Sequence, residues 1–280
     1  MEFRDMLEVL HYKFIQRAIV ASILGGASCG VVGVWVIMMR IPFVGVSMSH
    51  AAFAGAVLGL LLNVNPLLLA ILFCLVSATL IGPIADRAEF DPNISLSIIF
   101  SAVLGIAFLG IGLMKGPRTE ALNLIWGNIL MLSSKDLLFL SLTSFCIFLF
   151  LVLFFKEVQA ILFNREIARA VGIPERAIFY LILSLCGINV ALNLNTIGGL
   201  LIFSLIVNPP SAAYQLTYSL KKMFALSAAF GVSSCLLGLS FSYAFNAPSG
   251  AVIIIASSLI FILCMILSPK RRAVKLEGDS

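Results

Sequence analysis

Few side chains in this sequence have both the type and the placement to do chemistry, and His50 stands first among them. It is almost alone as an ionisable group within the long apolar runs. An imidazole at membrane depth is costly to keep, so it faces a cavity or a partner, and its ring nitrogens suit divalent transition metals. Its surroundings read VGVSMSHAAFAGAVLG. Helical spacing lines Ser47, His50, Ala51, Ala54 and Val57 or Leu58 along one face, where small residues leave room for a pathway. Ser47 and Met48 are the nearest further donors. The competing reading is a histidine that hydrogen-bonds a neighbouring backbone, and one histidine does not make a metal site. Asn189, Asn193 and Asn208 are the other polar groups expected at membrane depth. Asn208 precedes Pro209 and Pro210, which remove backbone donors and predict a kink or an end to that helix.

The second chemical feature is FNREIARAVGIPERAIFY at 163–180, a charged amphipathic island between long apolar runs. Arg165, Glu166 and Arg169 are expected to present charge to an aqueous partner, and Ile161, Ile167, Ala168 and Val171 to form an apolar side. Gly172 and Pro174 close the helix. Such an element reads as a docking surface, the alternative being a solvated loop.

Other chemistries lack their parts. The sequence has no GxxxxGK[ST] phosphate loop, no HExxH, no paired intramembrane carboxylates and no Ser/His/Asp arrangement, so no enzyme is expected. The scarcity of membrane-depth Asp, Glu and His argues against a proton relay. Six cysteines without a CxxC pair read as packing residues. The net charge of +5 is spread over short loops and does not suggest nucleic acid.

The elements that must position these groups follow from composition: 61% hydrophobic residues, 11% charged and a mean hydropathy of +1.12. About 20 apolar residues span a hydrocarbon layer of roughly 30 Å. Nine runs fit, near 18–39, 43–62, 66–84, 94–114, 137–155, 177–193, 197–217, 223–245 and 249–268. They are expected to be helices, because backbone groups must be satisfied internally in lipid. The reading is an all-α, polytopic membrane protein whose residues 1–280 form a single transmembrane unit.

Orientation follows from basic residues. Placing Arg40, Arg87, the 156–176 island, Lys221, Lys222 and the 270–275 tail on one side gathers most of the 18 Lys and Arg there, and marks it as cytoplasmic. Arg4, Lys13 and Arg17 then fall outside if every run crosses. The stretch 1–18 has helically spaced apolar residues and is expected to lie on the interface; it lacks the pattern of a cleaved signal peptide. The spacings Gly26 to Gly30 and Gly55 to Gly59 predict close helix contacts.

Five segments in order carry a resemblance: GVVGVWVIMMRIPFVGVSMSHAAFAGAVLG at 30–59, TEALNLIWGNIL at 119–130, FNREIARAVGI at 163–173, IGGLLIFSLIVNPPSAA at 197–213 and AFNAPSGAVIIIASSLIFIL at 244–263. Together they resemble the membrane permease subunit of ABC-type metal-ion importers, the family that takes up zinc, manganese and iron into bacteria. The resemblance implies a type II importer-like permease domain in the inner membrane. It implies a homodimer around a shared pathway, docked to a cytoplasmic ABC ATPase subunit that does the hydrolysis, and fed by an extracytoplasmic metal-binding protein. The divalent metal is then cargo, with no tightly bound cofactor.

On this resemblance Phe163, Arg165, Glu166, Ala168, Arg169 and Gly172 belong to a cytoplasmic coupling helix at 163–173. His50, Ser47, Met48, Asn189 and Asn208 are the residues assigned to the route, with His50 as its metal-ligand candidate. The sequence departs from the family twice. Val46 stands where relatives carry an Asp four residues before the histidine, and Phe100 where some zinc-importing members carry another His. A chelated metal or a vitamin-like cofactor is therefore the alternative cargo, and a secondary transporter without an ATPase the more distant class.

Overall fold

The computed structural model describes residues 12–88, 91–114 and 132–270, together with Thr119, Ala121 and Leu124. Every regular element among them is a helix: α1 (Lys13–Met38), α2 (Phe43–Leu62), α3 (Pro66–Ala88), α4 (Pro92–Leu113), α5 (Ser134–Leu153), α6 (Phe155–Phe163), α7 (Arg165–Ala170), α8 (Glu175–Ile197), α9 (Gly199–Leu216), α10 (Leu220–Phe245) and α11 (Ser249–Ile266). Eight of these are long and apolar enough to cross a membrane. α9 spans 18 residues but carries Asn208, two prolines and Gln215. With it the count agrees with the nine runs. The stretch 1–11, expected on the interface, and nearly all of 119–130 lie outside the described residues.

Small residues decide how the helices meet. A Cβ on Gly26 would sit 2.6 Å from the Gly231 carbonyl oxygen, and one on Gly30 would sit 2.5 Å from that of Ser227, so α1 and α10 touch backbone to backbone and run antiparallel. The Ser227 hydroxyl donates to the Gly30 carbonyl at 2.7 Å. Gly55 against Leu69 and Gly59 against Pro66 do the same for the α2–α3 hairpin. We expect Gly231→Val, whose Cβ would lie 2.1 Å from the Gly26 oxygen, to abolish monodisperse protein in size-exclusion chromatography, since overpacking against backbone costs about 1–3 kcal/mol or more. Gly105→Ala, with nothing within 4 Å, should be tolerated.

α9 does not end at its prolines; it runs through Pro209 and Pro210 to Leu216. Pro210 offers no N–H to the Ile206 carbonyl one turn earlier. That carbonyl lies against α1, 2.1 Å from where a Cβ on Gly33 would be. A glycine on the neighbour is what lets the proline-bearing helix pack unbroken. α8 and α9 are joined by Gly198 alone, at φ +98°, a conformation that side chains resist.

One end of the bundle is basic. α1 and α5 run the same way, since Trp35 meets Phe150 edge-to-face and Arg17 reaches the Leu132 carbonyl. Arg40 and α6 therefore share an end, where Asn93 donates to the Arg40 carbonyl. Lys221 lies over Phe155, and Lys270 over Tyr214 and Tyr218, which brings the start of α10 and the end of α11 to the same side. Among the described residues only Lys13, Arg17 and Lys135 fall at the opposite end.

Candidate functional site

Two groups of residues make up the candidate site. The first is α7 with its flanks, at the basic end. Asn164 caps it, its side-chain oxygen accepting from the Glu166 and Ile167 amides at 2.9 and 3.1 Å. It closes on Gly172 at φ +86°, with Gly172 N–H bonded to the Arg169 carbonyl and Ile173 N–H to that of Ala168, both at 3.0 Å. This paired closure satisfies the last carbonyls and needs a residue free of a Cβ penalty. Six residues held at both ends make a rigid knob.

The faces of that knob differ from the sequence expectation. Ile161 and Ala168 are buried, as an apolar side requires, but Phe163, Ile167 and Val171 are 87%, 57% and 67% exposed. Arg165 and Arg169 turn the other way, onto Glu175, a residue the sequence reading did not single out. The Glu175 carboxylate is 2% exposed. Its Oε2 accepts from Arg165 Nε and Nη2 at 3.2 and 2.8 Å, and its Oε1 accepts from Arg169 Nε at 3.1 Å and from Arg169 Nη2. Arg165 also stacks on Phe179 at 4.1 Å. The aqueous surface therefore combines Phe163, Ile167 and Val171 with Glu166 and with Arg165 and Arg169, whose side chains remain 41% and 63% exposed while they engage Glu175. The signal for this was an acid directly after Pro174, with arginines 6 and 10 residues before it.

The second group surrounds His50. Nδ1 lies 3.0 Å from the Val46 carbonyl. A carbonyl only accepts, so in the neutral ring this contact places the proton on Nδ1 and leaves the Nε2 lone pair for a ligand. The ring packs edge-to-face on Phe100 at 4.8 Å. Ser47, Ala51, Ala54 and Val57 on the same face are all buried. The space those small residues leave is filled within the protomer, and His50 itself is half-buried. The Ser47 hydroxyl is buried without a hydrogen-bond partner.

The remaining route candidates are engaged in helix packing. Met48 is fully buried; its carbonyl accepts from the Cys74 thiol at 3.4 Å and its sulfur lies beside Gly187. Asn189 donates to Cys29 Sγ at 3.4 Å and its carbonyl accepts from Asn193 at 2.8 Å. Asn208 donates to Ser257 and Ser258 at 3.0 and 3.1 Å, tying α9 to α11. The structure thus does not gather Asn189 and Asn208 around His50 into one donor set. Among the described residues no three His, Cys, Asp or Glu side chains are grouped to hold a metal.

A bundle of about nine crossing helices with small-residue contacts, one basic end and a capped amphipathic knob at that end describes a multi-pass membrane transport subunit. Residues 11–268 match the model of the ABC 3 transport family, to which this chain belongs. The manganese transport system membrane protein MntC of Halalkalibacterium halodurans is 30% identical over 264 residues, covering 94% of this chain and 90% of the relative. The manganese import system permease protein ScaB of Streptococcus gordonii is 29% identical over 97% of this chain and 98% of its own. Among solved structures, PsaBC from Streptococcus pneumoniae in complex with a Fab matches with a TM-score of 0.88 at 28% identity, covering 99% of this chain and all of that one. The chain is accordingly a permease of the bacterial inner membrane, and ATP hydrolysis lies in a separate subunit.

Proposed function

We propose that this chain forms the translocation pathway of an ATP-driven importer of a divalent first-row metal ion, manganese first, as two copies around a shared route. Each copy docks a cytoplasmic ABC ATPase through α7, and an extracytoplasmic binding protein delivers the ion to the end opposite the basic one. The observation that carries the reading is the knob itself: a helix capped at both ends that, with the residues flanking it, turns Phe163, Ile167 and Val171 to water beside Glu166 and Arg169. Large exposed side chains on a rigid element outside the membrane-crossing helices mark a protein contact. The names of the relatives support manganese as cargo. In the pathway His50 supplies an imidazole Nε2 with no ligand cluster around it among the described residues, which suits an ion that must leave as readily as it enters.

Co-expression with a candidate ATPase and reconstitution in liposomes tests this. Expected are a stoichiometric complex and ATP-dependent uptake of radioactive manganese; a purified chain that transports with no ATPase bound would overturn it. Val46 and the lack of a ligand cluster among the described residues favour a second reading, a chelated metal as cargo. Uptake of a siderophore or corrinoid complex in preference to the free ion would select that reading.

A further inference from the structure

The chain attaches α7 to its neighbours through two short links. Asn164, extended at φ −160°, joins it to α6, and the Gly172–Pro174 turn joins it to α8. Links of one residue on one side and four on the other leave the direction of a six-residue helix to its side chains.

Two of those side chains converge on one carboxylate. Arg165 and Arg169 lie one turn apart on the same face of α7 and each lays a guanidinium edge, Nε and Nη2, on a different oxygen of Glu175. Glu175 is the first residue of α8. The Arg165 ring stack is with Phe179, one turn further along the same helix. An apolar contact would tolerate sliding and rotation. Two planar, charge-assisted edges on one carboxylate do not, because turning α7 about its own axis would carry both guanidinium groups off their oxygens together.

α8 is also the helix that reaches the interior of the bundle. Its Gly187 lies against Met48 of α2 and Cys74 of α3, and its Asn189 bonds Cys29 of α1. We infer that Glu175 is a positioning residue that pins α7 to α8, so that movement of the docked knob is delivered to α8 and through it to the His50-bearing helix. The inference rests on the reading of α7 as the ATPase-docking element. Glu175 itself touches neither cargo nor ATP.

The test is Glu175→Gln in the complete complex with its ATPase, reconstituted in liposomes with manganese as the probe. Gln keeps the shape but puts an NH2 group against one of the two guanidinium edges. The ATPase should still co-purify and hydrolyse ATP, while ions transported per ATP fall by about tenfold as one charge-assisted edge is lost. Glu175→Asp should restore part of that ratio. An Arg165→Lys, Arg169→Lys double variant, which keeps both charges and loses the planar edges, should reproduce the loss whether or not the Gln variant folds. An unchanged ratio in these variants, or a ratio that falls only because the ATPase is lost, overturns the pin. If the unaltered chain retains no ATPase, the docking reading itself fails, which is a different result.

Discussion

Replacing Phe163 and Ile167 with Asp should release the ATPase from otherwise intact permease. Burying an apolar side chain of this size against a partner contributes about 1.5–3 kcal/mol, and contact residues at the centre of an interface commonly cost 2 kcal/mol or more on truncation. Two such losses weaken docking by at least about 100-fold, before the cost of placing carboxylates in the contact. Neither side chain takes part in the Asn164 cap, the Gly172 closure or the Glu175 ion pairs, so the helix should remain in place. Glu166→Lys, a change at the exposed rim, should cost about 1 kcal/mol or less. Affinity of the purified subunits, measured by surface immobilisation, decides between them. Release by Glu166→Lys alone, with the double Asp variant still bound, would contradict docking through the apolar face.

His50→Ala should lower manganese uptake by about tenfold or more while ATPase binding stays as it was, because the variant removes the one imidazole lone pair offered at that depth by the described residues. Phe100 would lose its edge-to-face partner, a packing loss of about 0.5–1.5 kcal/mol that leaves the fold standing. The measurement is initial uptake into liposomes alongside co-purified ATPase. Unchanged uptake would show that the ion passes without the ring, and a fall in both readouts would make His50 structural.

Much of this architecture was legible in the order of apolar runs. Run boundaries such as 43–62 and 249–268 lie at or near the ends of α2 and α11, because a lipid-spanning helix is defined by length and composition. Of the kink or end expected at Pro209 and Pro210, the end did not occur, and the reason lies on another helix: Gly33 leaves room for the carbonyl the proline frees. The docking island was legible as an amphipathic segment, with Ile161 and Ala168 on its covered side and Arg165, Glu166 and Arg169 reaching water, but the exposure of Ile167 and Val171 was not. The pairing of both arginines with Glu175 was not legible either, because it forms only where the Gly172–Pro174 turn folds α8 back past α7. Spacings of 6 and 10 residues have no helical periodicity, so the acid after Pro174 is a signal only once the chain is known to turn there. Around His50 the sequence showed which residues share a face but not that Ser47, Ala51 and Ala54 are covered, since burial depends on what packs against that face.

The most direct test of the account is the side of the membrane on which α7 lies. A cysteine introduced at Ile167, compared with the unaltered chain and its six native cysteines, should resist a membrane-impermeant maleimide in intact cells. It should react once the inner face is opened, and be protected again when the ATPase is bound. Rapid labelling of that thiol from outside intact cells would place the knob on the wrong face and contradict the coupling of this permease to an ATPase.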